Sequence, residues 1–184
     1  MKNNRIRKIA ICVLVLNIFL AALPQGAWAA GAAGGITLEE AAAAALAQVD
    51  LQGKTFLMTK LGEDRDDGRR EYEVEFIADG IEYEYEFDAE TGERLKASME
   101  AVAEWKIQLV GGSYLAFEDA KKKVLAHAGI DAAQAVFTEF ELDFSKKRVK
   151  CELTFAAGGQ IYEYDLDAAT GDVLKREIEK EKKQ

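Results

Sequence analysis

The chain has 184 residues, with 33 acidic and 24 basic side chains and a formal net charge of −9. With one His and two distant Cys it can build neither a site of two or more His ligands nor a four-thiolate zinc centre or a dense disulfide framework. The acidic balance argues against a general nucleic-acid binder, whose affinity rests on cations facing phosphates, while a hydrophobic content of 49% is enough for a packed core.

The first 29 residues have the three parts of an export signal. Lys2, Arg5, Arg7 and Lys8 form a basic start, and Ile9 to Leu23 is an apolar run of 15 residues. That run suits a signal sequence better than a membrane span, which needs about 20 residues. Pro24 ends it, and Ala27-Trp28-Ala29 supplies small residues at a cleavage site, with Ala30 as the mature start. The expected destination is the cell envelope or the medium, with membrane attachment only through an uncleaved signal. Cleavage takes away four cations and no acids, lowering the net charge from −9 to −13. It also removes Cys12, leaving Cys151 without an internal disulfide partner. Residues 30–35, all Ala and Gly, read as a flexible leader.

Sliding the remainder by 79 residues gives a gap-free self-match in which about 20 of roughly 61 positions are identical. Gly80, Tyr83, Glu84 and Tyr85 fall on Gly159, Tyr162, Glu163 and Tyr164; Asp88, Thr91, Gly92 and Leu95 fall on Asp167, Thr170, Gly171 and Leu174. The boundaries expected from this match are a first unit at 36–97, a linker at 98–114, a second unit at 115–177 and a charged, frayed tail at 178–184.

Each unit opens with a helix. Thr37-Leu38-Glu39-Glu40 spells a capping box before an Ala-rich stretch running to about Val49. The second helix runs from about Phe117 to Ala128, and Gly129 stands where a helix-ending glycine belongs. Strands with two-residue alternation follow. A first strand is expected over about Thr55 to Leu61, and over Val136 to Leu142. Next, Tyr72, Val74 and Phe76 share one face, then Ile81, Tyr83, Tyr85 and Phe87; the second unit has Val149, Cys151, Leu153 and Phe155, then Tyr162, Tyr164 and Leu166. Ala78-Asp79-Gly80, Ala157-Gly158-Gly159 and Asp88 to Gly92 read as turns. The fold expected is α+β: two tandem repeats, each one helix packed on a small antiparallel sheet of three to four strands. Trp105, Ile107 and Leu109 make the linker too apolar for a solvated tether and suggest a docked segment filling the seam.

The pattern Tyr72-x-Val74-x-Phe76, Gly80-x-x-Tyr83-x-Tyr85-x-Phe87-Asp88, Thr91-Gly92 and Leu95, with its counterpart around Cys151, Gly159 and Thr170, resembles the PepSY domain family. Its motifs are core aromatics and a turn, so they speak to fold rather than to chemistry. The resemblance implies an exported or membrane-associated bacterial protein. It implies kinship with modules in the propeptides of thermolysin-like zinc metallopeptidases, for which an inhibitory role has been proposed. This sequence lacks the two-His zinc helix of such a peptidase, so a peptidase partner would be a separate molecule.

The least ordinary feature is an acidic strand face. Glu71, Glu73 and Glu75 are expected beside Glu82, Glu84 and Glu86 on an antiparallel hairpin, where like charges cost a few tenths of a kcal/mol per pair. Lys60, Arg69, Arg70, a divalent cation or a basic partner would offset this; a solvated face that discourages edge pairing is the simpler reading. These six residues are the candidate partner-binding face. Glu63-Asp64-Arg65-Asp66-Asp67-Gly68 fails as a calcium loop, because Arg65 takes a ligand position and Val74 stands where a bidentate Glu belongs; it reads as a hairpin loop between strands. His127 reads as a surface or capping residue, and Cys151 as a core thiol. No catalytic, cofactor or metal-ligating residues are expected. The function expected is an exported, non-enzymatic binding protein that regulates, inhibits or escorts an extracellular or envelope peptidase. The alternative is a structural or scavenging envelope module binding cations or cationic polymers through the acid face.

Overall fold

The computed structural model describes residues 35–110, 112–144 and 149–181. The signal at 1–29, nearly all of the leader and the last three residues of the tail lie outside the described residues. Helix α1 (Leu38–Leu46) is followed by strands β1 (Phe56–Asp66), β2 (Arg69–Ala78), β3 (Ile81–Asp88) and β4 (Arg94–Ala101). Helices α2 (Glu104–Val110) and α3 (Phe117–Ala128) come next. Strands β5 (Val136–Asp143), β6 (Lys150–Ala157), β7 (Gln160–Asp167) and β8 (Val173–Lys180) complete the chain.

Local chemistry sets the starts and turns. Thr37 and Glu40 form the reciprocal capping box, with Thr37 N–H donating to Glu40 Oε2 at 2.8 Å and Glu40 N–H to Thr37 Oγ1 at 3.2 Å. Gly129 closes α3 in the left-handed conformation at φ 72°. Asp79 and Gly80 both have positive φ, as do Asp67 and Gly68, which fits two-residue hairpin turns that follow strand twist. In the turn after β3, Asp88 Oδ1 accepts from Glu90 N–H, Thr91 N–H and the Thr91 hydroxyl, and Gly92 N–H returns to the Asp88 carbonyl at 2.8 Å.

The expectation of two tandem units, each with its own sheet of three to four strands, is overturned. All eight strands form one antiparallel sheet in the order β4-β3-β2-β1-β5-β6-β7-β8. The join is β1 against β5, with Lys60 opposite Glu141, Leu61 opposite Phe140 and Gly62 opposite Glu139. The reason is physical. A unit of about 60 residues sits near the lower limit for a self-sufficient core, and a free β1 edge would leave a row of unpaired N–H and C=O groups. Pairing the two inner edges satisfies both, and it buries Leu61 and Phe140, which face each other across the join at 1% and 0% exposure.

The core is therefore one cluster that runs through both halves, from Leu38 and Ala41 on α1 to Val124 on α3 and Leu166 on β7. Tyrosine and phenylalanine rings stack across the strands: Phe76 on Tyr83 at 5.1 Å and Phe155 on Tyr162 at 4.9 Å between centroids. A salt bridge from Lys121 on α3 to Glu39 on α1 at 2.7 Å links the helices above the join. Several boundaries differ from expectation. β1 runs to Asp66 rather than to about Leu61, and β4 runs into the expected linker as far as Ala101. α1 stops at Leu46 rather than Val49. β8 runs to Lys180, because it pairs with β7 along its length, so residues 178–180 are strand rather than frayed tail.

Candidate binding face

The face of the sheet away from α1 and α3 carries the acidic side chains. Register places Glu73 opposite Glu86, Glu75 opposite Glu84 and Glu71 opposite Asp88, with Glu82 opposite Ile77 on β2 and Glu100 on β4. Glu73, Glu75 and Glu84 come close enough that one carboxylate oxygen of each lies within 4.8 Å of the others.

The chain itself supplies most of the opposing charge. Lys60 on β1 pairs with Glu73. Lys96 on β4 reaches Glu84 at 2.7 Å and Glu86 at 2.9 Å, and the Ser98 hydroxyl donates to Glu84 at 2.9 Å. The Lys96 hydrogen bond holds Glu84 below the usual carboxylate range. Arg69 binds Glu71 at 2.6 Å, whereas Arg70 turns to Tyr72 and Glu63. Lys106 on α2 binds both oxygens of Glu82, at 2.8 and 2.9 Å. Of the offsetting cations proposed from sequence, Lys60 and Arg69 meet the six acids. Lys96 was not legible, because it comes opposite Glu86 only through a register shift between Glu86 and Phe87. Nor was Lys106, because it arrives on a helix from outside the hairpin.

Glu75 is the exception. Burial, and then the neighbouring Glu73 charge, push its pKa up to about 7, and its carboxyl shares a hydrogen bond with Glu73. Across the join, burial also raises Glu141. Glu75 and Glu141 line a cavity of about 290 Å³ together with Thr59, Lys60, Trp105 and Leu142. In the other half the equivalent face is mixed: Lys150 bonds Glu152 at 3.1 Å and Asp165 at 3.0 Å, and Thr154 donates to Glu139.

The remaining candidates have structural surroundings. His127 is exposed in the last turn of α3, with Nδ1 3.1 Å from the Tyr164 hydroxyl. Cys151 is fully buried on β6, where burial drives its thiol up to about 12, far from a reactive thiolate. The Glu63–Gly68 segment is the end of β1 and a tight turn, with Glu63 facing Arg70 at 3.4 Å.

The first half of the single sheet carries α1, the stacked rings and an Asp-x-x-Thr-Gly turn at its rim. Residues 35–97 match the family model described as the peptidase propeptide and YPEB domain. No curated protein matches the chain significantly. Two solved structures are similar to it. One is a candidate lipoprotein from Clostridium difficile 630, at 21% identity over 68% of this chain and 84% of the other, with a TM-score of 0.39. The second is the Bacillus megaterium YpeB C-terminal domain, at 14% identity over 78% of this chain and 65% of the other, with a TM-score of 0.29. Among the described residues no helix is long and apolar enough to cross a membrane.

Proposed function

We infer that this chain is an extracytoplasmic binding protein, without catalysis of its own, that regulates or escorts a peptidase. The observation that carries this reading is the match of residues 35–97 to the peptidase propeptide and YPEB domain. The signal-like start of the sequence supports export. The geometry supports docking through a sheet edge more than through the acid face. β4 and β8 end the sheet, and almost every residue along them is exposed, Met99 to 71%. Such an edge can accept an extended strand from a partner. Most of the acidic side chains, by contrast, are already matched by Lys60, Lys96, Lys106 and Arg69, which weakens the scavenging alternative.

The test is residual activity of secreted zinc metallopeptidases from the same host, titrated with the protein. The expected result is dose-dependent inhibition or protection from autolysis, lost when Met99→Asp alters the β4 edge. If the folded, uncleaved protein leaves every peptidase unaffected, the reading fails.

A further inference from the structure

The cavity on the acidic face lies where β1, β2 and β5 meet, beneath α2. Its charges are unequally engaged. Lys106 is held by Glu82 through both oxygens, and Lys60 by Glu73. The register places Glu75 and Glu141 on either side of Lys60, on β2 and β5, and among the described residues neither has an ion pair. Two half-buried carboxylates thus face a cavity whose cations, among the described residues, are held by Glu82 and Glu73.

Two other walls are unusual. Trp105 is 54% exposed on α2, presenting a large ring to the opening. Thr59, at the β-bulge between Met58 and Lys60, is only 6% exposed, and its hydroxyl has no hydrogen-bond partner among the described residues. The matching threonine on β5, Thr138, does find a partner, the Thr154 carbonyl at 3.4 Å.

We propose that this cavity binds a cationic side chain, above all an arginine carried on an extended basic peptide. A planar guanidinium has donors enough to bridge Glu75 and Glu141 and a face that stacks on Trp105. A bare metal ion fits less well. The acidic triad compact enough to share one ion is Glu73, Glu75 and Glu84, and two of those three are taken by Lys60 and Lys96. The proposal does not depend on the peptidase reading, because it concerns a different surface and needs no protease.

Fluorescence tests it directly. The sequence has two tryptophans, so Trp28→Phe leaves Trp105 as the reporter in the cavity wall. That chain is titrated with three blocked tripeptides, Gly-Arg-Gly, Gly-Lys-Gly and Gly-Gln-Gly, and separately with calcium chloride. The expected result is a saturable change with the arginine peptide, a weaker one with lysine and none with glutamine. Glu75→Gln and Glu141→Gln should each weaken arginine binding about 5- to 10-fold, as expected for one charge-assisted contact, while Glu163→Gln on β7 leaves it intact. Failure of the arginine peptide to saturate by about 10 mM, an equal response to the glutamine peptide, or a calcium response that competes with arginine would each overturn the proposal. None of these outcomes bears on docking at β4, so failure here and failure of the peptidase reading are separable.

Discussion

Glu75→Gln should stabilise the protein at pH 8 and leave it nearly unchanged at pH 4. Burial and the adjacent Glu73 raise the Glu75 pKa from 4.5 to about 7 in the folded state. In the unfolded chain the group ionises in the ordinary carboxylate range. Between those two values the folded state holds a proton that the unfolded state has released. Stability therefore falls as pH rises through this window, and the penalty is complete above about 7. A shift of this size sets an upper limit of about 3 kcal/mol. The carboxyl is partly solvated, and screening reduces the expected gain to about 1–2 kcal/mol. Glutamine has the same shape, carries no charge, and can still donate to Glu73. Urea unfolding at both pH values reads the effect: at pH 8 the variant's midpoint should rise by about 0.5–1 M. Glu84→Gln supplies the opposite sign. Its folded-state pKa is lowered by Lys96, so its stabilising contribution is present above the unfolded value and lost as pH falls through the folded one; the substitution should destabilise at pH 8. Equal midpoints for wild type and Glu75→Gln at both pH values would refute the reasoning, as would a loss of stability at pH 8.

Two further predictions concern the fold. Leu61→Ala removes a side chain that is 1% exposed at the β1–β5 join and should cost about 3–4 kcal/mol. In a Cys12→Ser background it should also speed alkylation of the buried Cys151 on β6 at a fixed urea concentration, whereas halves that unfolded independently would leave Cys151 unaffected. Gly92→Ala should cost about 1–2 kcal/mol in chemical unfolding and more than Gly171→Ala: both glycines have positive φ, but a Cβ at 92 would lie 2.9 Å from Cγ2 of Ile36, a residue packed on the core, while one at 171 meets the flexible end of Lys123. Equal costs at the two positions would show that backbone conformation alone decides.

Local features were legible because neighbouring residues decide them. The Thr37–Glu40 capping box, the Asp79–Gly80 turn and the inward tyrosine and phenylalanine faces all follow from spacing within a few residues. The end of α1 was not, since an Ala-rich stretch carries no stop signal; the helix ends where Val49 and Leu51 turn to pack against the core. The acid-rich Glu63–Asp66 segment read as loop because its composition is polar, yet it is strand, paired along β2 as far as Asp66 opposite Arg69. The β1–β5 join was hidden for a different reason. Pairing between strands some 80 residues apart leaves no local periodicity, and an edge strand and a central strand can share the same alternation. The candidate site shares that fate: Glu71 to Glu86 could be placed on one face by counting, but Glu141, Trp105 and Thr59 join them only once the seam is closed and α2 lies across it.

The single sheet also accounts for a place where the two matched halves of the sequence differ. At the 79-residue offset, Lys60 falls on Glu139 and Glu75 falls on Thr154. Were the halves alike here, with an acid at position 60, closing the join would set that acid directly opposite Glu141 and beside Glu75, a like-charge crossing that a sheet disfavours. Lysine there turns the same crossing into an attraction, flanked by carboxylates on both neighbouring strands. Its own ion pair goes to Glu73, however, so Glu75 and Glu141 have no ion pair of their own among the described residues, and burial raises the pKa of each. The residue that permits two sets of four strands to become one sheet is thus the residue that leaves two carboxylates open to a cation from outside.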